Sequence, residues 1–174
     1  TYSAFKFRRL TAASGGVLIS AADIPKKHTG SPNSIIEARY CGTTCGTAIT
    51  ATYSGTTDST LLQVNGPGNI GQVIGHREIV FGDNEKLVLQ PGEGIGFYID
   101  VTNADLDHYV KILIEWQETT TTPSSQGEYI IDPGPVGGST ATSYNYISFF
   151  NPSASGKTAI IKRISVRIDT VAAA

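Results

Sequence analysis

The chain has no methionine, a single tryptophan and two cysteines, and only 16% of its 174 residues are charged. Helical proteins lean on Ala, Leu, Glu, Lys and Met, so this profile, with nineteen glycines and eight prolines, points away from helix and toward an all-β protein. A formal net charge of −2 gives no electrostatic case for nucleic acid, whose binders concentrate positive charge on one face. No stretch approaches the ~18 consecutive apolar residues that a spanning helix needs, and no basic segment with an apolar run and cleavage site opens the sequence. The chain therefore reads as soluble, or with its signal already removed. Its start at Thr1 fits either loss of an initiator methionine or proteolytic processing and leaves the compartment open.

What is present is strand after strand with turn residues between. Phe5, Phe7 and Leu10 set among Lys6, Arg8 and Arg9 give a first strand with an apolar and a basic face. Ala12–Gly16 reads as a turn into Val17–Ser20, and Asp23–Asn33 as a loop. Further strands are expected over Ser34–Cys41, Thr47–Tyr53, Thr60–Val64, Gln72–Phe81, Lys86–Gln90, Gly94–Val101 and Tyr109–Glu118; in the last, Val110, Ile112, Ile114 and Trp116 share a face. Gly82-Asp83-Asn84-Glu85 is a hairpin signal, because these residues tolerate left-handed backbone. Almost no helix is expected. Local antiparallel connections at short spacing predict an antiparallel β-sandwich, jelly-roll-like in character.

The end of the chain breaks this rhythm. A Thr/Ser/Pro/Gly-rich stretch, Thr119–Thr142, separates a body (residues 1–118) from two further patterned strands, Ser143–Phe150 and Lys157–Thr170 (within 143–174), expected to form a C-terminal hairpin. Two strands alone are marginal in water, so the hairpin needs a sheet to cover, its own or a neighbour's. The stretch could extend to about 80 Å at ~3.3 Å per residue, far enough to cross a subunit boundary. A hairpin docked in cis and one exchanged between copies are both open on this reading. The expected assembly contacts are Tyr129, Ile130 and Ile131 in the stretch, and Tyr144, Tyr146, Phe149, Ile164, Val166 and Ile168 beyond it.

Chemistry is thin. Ser155-Gly156-Lys157-Thr158 mimics the end of a phosphate-binding loop, but Asn151 stands where that loop needs glycine and a strand follows instead of a helix; Lys157 is expected to be solvated. His28, His76 and His108 are widely separated. Asp100, Asp105 and Asp107 are close enough to hold a hard cation such as Ca²⁺, yet acidic loops are mostly solvated turns. Glu93 has no partner in the sequence to make it an acid or base. No catalytic, cofactor or metal residues are nominated. Cys41 and Cys45 bracket a Gly/Thr turn and allow a small disulfide, half a zinc site, or two reduced thiols.

Two segments, Phe5–Gly16 and Phe150–Thr158 with the strand to Ile168, resemble β-rich virion-associated proteins of tailed phages, and Pro91-Gly92-Glu93-Gly94-Ile95-Gly96 is similar to a recurrent turn in them. The resemblance covers about a quarter of the chain. It implies a non-enzymatic β-sandwich such as a capsid cement, decoration or tail-associated protein at the capsid surface, forming a homo-oligomer (a trimer or polymer) and binding a major capsid or other virion protein. In such proteins the Asn-Pro-x-x-x-Gly-Lys strand precedes the Arg-Arg-Leu-Thr strand, whereas here the order is reversed. That order implies a circular permutation, or a C-terminal hairpin set beside the first strand of the next subunit. Two other readings stand beside it. One is an extracellular filament or pilus-like subunit that donates Ser143–Thr170 to the next copy. The other is a carbohydrate-binding sandwich, which would need Trp116 and Tyr129 exposed in one groove.

Overall fold

The computed structural model describes residues 4–42, 46–55, 60–65, 73–82, 86–101, 106–120, 127–134, 136–138 and 145–172. They form strands β1 (Ala4–Gly15), β2 (Val17–Ile19), β3 (Glu37–Tyr40), β4 (Ile49–Tyr53), β5 (Thr60–Asn65), β6 (Val73–Val80), β7 (Leu87–Leu89), β8 (Gly94–Val101), β9 (Leu106–Thr119), β10 (Gly127–Ile131), β11 (Val136–Gly138), β12 (Asn145–Phe150) and β13 (Thr158–Ala172). No helix occurs among the described residues.

The strands make two antiparallel sheets, the architecture of a β-sandwich. One runs β2-β3-β12-β8-β1-β4, with β5 also on β1; the other runs β10-β9-β13-β6, with β11 on β9 and β7 on β13. Alternation along β9 and β13 points Val110, Ile112, Ile114, Trp116, Ile161, Ile164, Val166 and Ile168 inward, each 3% exposed or less. They meet Phe5, Phe7, Ile95, Phe97 and Phe149 from the first sheet. Phe97 stacks on Phe5 (5.8 Å) and packs at a tilt against Phe7 (4.4 Å), and Trp116 crosses the interlayer to meet Phe149 edge-on at 4.7 Å.

Three long strands organise the molecule, and each is flanked by a partner laid down in two pieces. Along β1, Tyr53 of β4 faces Leu10 and Thr60 of β5 faces Arg8. Along β13, Val80 of β6 faces Arg163 and Leu87 of β7 faces Ile161. Along β9, Ile131 of β10 faces Ile114 and Val136 of β11 faces Val110. The hairpin expected at Gly82–Glu85 is therefore corrected. β6 and β7 do not pair with each other but run one after the other along β13, with the Phe81 amide still bonded to Lys162 O at 2.9 Å. Turn residues permit an excursion as readily as a reversal, and the shared ladder on β13 decides between them.

The C-terminal pair is likewise not a hairpin. β12 lies inside the first sheet between β3 and β8, and β13 inside the second between β9 and β6/β7, so Asn151–Lys157 carries the chain from one layer to the other. Period-2 alternation is satisfied equally by a paired neighbour and by a strand in the facing sheet. Strands β1 to β9 and strands β12 and β13 thus share both sheets, and the stretch between them contributes β10 and β11 to the second.

The first sheet is curled. β1 turns into β2 through Gly15 and Gly16 (φ 68° and 63°). A side chain on Gly16 would meet Ile49 of β4 at 2.6 Å and the Tyr40 carbonyl of β3 at 2.9 Å. Only glycine lets the two ends of the sheet approach so closely.

Candidate functional site

The three segments that carry the resemblance lie far apart in sequence and come together at one end of the sandwich. β8 is the reason: its two neighbours are β1 and β12, so Arg9 of β1, the Gln90–Gly94 turn before β8 and the Asn151 turn after β12 are adjacent. Arg9 Nη1 donates to Glu93 Oε2 at 3.4 Å and to Val88 O at 3.3 Å, and the Gln90 amide donates to the same carboxylate at 2.9 Å. The Asn151 amide donates to Glu93 O (2.9 Å), and the Gly92 amide to Asn151 O (2.8 Å).

Asn151 is wholly buried, and its Nδ2 donates to Leu89 O at 3.0 Å and Lys157 O at 2.8 Å. One side chain thereby ties β7 to both ends of the turn. Gly156 adopts φ 63° within it. This is the physical content of the Asn-Pro-x-x-x-Gly-Lys pattern, and nothing in it cradles a phosphate.

Lys157 was expected in solvent; the structure corrects this. Its side chain is 15% exposed, and Nζ lies 3.6 Å from Oε2 of Glu118, which is fully buried. Glu118 Oε1 accepts from the Ser34 hydroxyl (2.5 Å), the Ile35 amide (3.1 Å) and the Trp116 indole (3.2 Å). Tyr129, stacked on Trp116 at 5.5 Å, donates its hydroxyl to Pro32 O at 3.1 Å. Burial, and secondarily the Glu118 carboxylate, push the Tyr129 phenol up to about 12. The cluster fastens the loop before β3 to the second sheet. Glu118 was missed in the sequence although the signal was there: it continues the inward phase of Val110, Ile112, Ile114 and Trp116.

A second polar cluster fills the curl of the first sheet. Arg8, expected on a basic outer face, is only 6% exposed, with its guanidinium 4.8 Å from the Tyr53 ring centroid and 6.0 Å from that of Tyr98. Tyr53 donates to Asn145 Oδ1, whose Nδ2 donates to Ile49 O at 3.0 Å. Burial, then Tyr98, raise the Tyr53 phenol, with Arg8 opposing. Among the other basic residues, Arg163 pairs with Glu115 (2.7 Å) and Glu78 (3.6 Å) in its own chain.

The expected assembly residues are mostly core. Tyr129, Ile131, Tyr146, Phe149, Ile164, Val166 and Ile168 are each 3% exposed or less, and Ile130 is half-buried; what they touch here is their own chain. Tyr144 lies outside the described residues. Cys41 is buried and disulfide-bonded, and Cys45, the other cysteine of the chain, is outside the described residues. His28 is exposed and lies 3.8 Å from Glu128. Asp105 and the side chains of His76, His108, Asp100 and Asp107 are outside the described set. Among the described residues no group of three His, Cys, Asp or Glu is placed to hold a metal ion.

An apolar cavity of about 130 Å³ lies between the two sheets, near β5 of one and β6 and β7 of the other. Phe7, Ile95 and the 42%-exposed Leu61 line it from one layer and Ile79, Phe81, Leu87 and Ile164 from the other. Comparison of the chain with protein-family models, with curated proteins and with solved structures finds no match.

Proposed function

We propose that this chain is a non-enzymatic structural protein of a virus particle, a capsid cement or decoration subunit that binds copies of itself and a shell protein. The observation that carries the reading is the convergence of the three resembling segments into one corner. Its most distinctive polar groups, Asn151, Glu118 and Lys157, are spent on holding backbone and strands together. The resembling segments thus supply a piece of architecture, suited to a rigid body that acts through its surface.

The filament reading is less well supported. Donating β12 and β13 would remove an interior strand from each sheet, and the edges left for strand addition are short or interrupted. The glycan reading lacks its platform, since Trp116 is 1% and Tyr129 0% exposed. The test is to add the purified protein to shells assembled without it, then measure bound copies by electron microscopy and the shells' resistance to heat. Saturable decoration with raised thermal stability is expected; absence of binding to any shell, with the protein missing from purified particles, would refute the proposal.

A further inference from the structure

Among the described residues, the large apolar side chains that stand exposed are Val17 and Leu18 on β2, Leu61 on β5 and Val80 on β6. Leu18 is 52% exposed on a three-residue edge strand, while Leu61, 42% exposed, lines the apolar cavity. These two features lie on different strands of one sheet: through Ile19↔Ala38, Ala38↔Phe149 and Phe149↔Ile95, β2 stands three strands away from the cavity-lining Ile95. Three strand spacings are roughly 14 Å at ~4.8 Å each, and its ladder on β3 holds β2 at that remove. A chain cannot seat its own β2 in its own cavity.

We propose that the chain associates head to tail, with Leu18 of one copy entering the cavity between β5 and β6–β7 of the next. Size supports the pairing: a cavity of about 130 Å³ is close to the ~150 Å³ apolar cavity that takes a benzene ring, and so suits one branched aliphatic side chain. Chemistry supports it as well, because the lining is aliphatic and aromatic on both layers and a leucine brings no polar atom to desolvate. The contact is heterologous, joining two different patches, and so closes as a ring or continues as a chain according to the rotation it imposes. It goes beyond the virion reading and does not depend on it.

Two single variants test it, both at exposed positions where folding is not at stake: Leu18→Asp removes the protruding side chain, and Leu61→Asp places a charge in the cavity lining. Light scattering across a concentration series should show self-association of the unchanged protein, weakened about tenfold or more in each variant, as expected for losing one buried leucine contact. Mixing the two variants should restore a single contact, from the intact Leu18 of one to the intact cavity of the other, and stop at a one-to-one dimer. Saturating benzene should lower the mass of the unchanged protein by filling the cavity. A protein that stays monomeric at its highest soluble concentration, a variant that keeps full association, or variants that fail to pair when mixed would each overturn the proposal. Urea midpoints matching the unchanged protein confirm that both variants are folded. Shell binding, measured separately, would stand or fall independently of these outcomes.

Discussion

Replacing Lys157 with methionine keeps most of the aliphatic stem and removes the charge, leaving the Glu118 carboxylate inside the sandwich among neutral donors. Three of these hold Oε1, at 2.5, 3.1 and 3.2 Å, while Oε2 faces Lys157 Nζ at 3.6 Å. Breaking a buried ion pair by deleting one partner costs about 3–5 kcal/mol. The long Nζ–Oε2 separation and the 15% exposure of Lys157 place this case near the lower end, about 3 kcal/mol. With a urea dependence of about 2 kcal/mol per molar, the midpoint should fall by about 1.5 M. Trp116, the only tryptophan and bonded to the same carboxylate, reports the transition by fluorescence. Adding Glu118→Gln to Lys157→Met keeps an oxygen for the three donors and removes the stranded charge. The double variant should therefore be more stable than Lys157→Met alone, by about 1–2 kcal/mol. Losses that simply add, or a double variant no better than the single, would refute the claim that a buried charge is what Lys157 satisfies.

Asn151→Ala removes two hydrogen bonds and takes the side-chain donor from the buried Leu89 carbonyl, while Lys157 O keeps the Ser155 hydroxyl at 3.2 Å, so about 2–3 kcal/mol should be lost, seen in thermal unfolding as a drop of roughly 6–9 °C. Gly94→Ala would bring Cβ within 2.5 Å of Phe149 O and 2.6 Å of Leu10 Cδ1; such overpacking should cost about 3 kcal/mol. Gly156→Ala meets nothing within 4 Å and bears only its φ of 63°, about 1 kcal/mol; if urea midpoints rank these two glycines the other way, the close approach of β8 to β12 is wrong. Tyr129 should make the fold sensitive to alkali. The unfolded chain releases its phenol proton near ~10 and the folded chain near about 12, so its contribution is intact below the first value and is lost as pH climbs toward the second. Tyr53 acts in the same direction, and Tyr129→Phe should flatten the alkaline decline in urea midpoint without abolishing it.

Most of the strands were legible because alternation is a local property. Val110 to Trp116 and Ile164 to Ile168 declare a buried face whatever lies opposite, and β8 was expected at the residues where it occurs. Partners are not local. The same pattern in Asn145–Phe150 and Thr158–Ala172 serves a hairpin or an arch between layers, and only the ladders on β8 and β9 distinguish them. Charge misled in a related way. Arg8 and Lys157 each read as solvated cations, and each is covered because a curled sheet or a crossing turn closes over it. The cavity between β5 and β6–β7 could not be foreseen at all, since its lining draws on strands from both sheets whose pairing had to be known first.

The split partner strands carry a practical consequence for engineering. β4 and β5 pair in succession with β1, β6 and β7 with β13, and β10 and β11 with β9, so each pair meets the same long strand twice. Because both members of a pair are registered on a fixed template, sequence added between them need not shift the register on either side. The sandwich is in this respect a display frame with three sockets, into which peptides could be grafted while β1, β9 and β13 keep the body aligned.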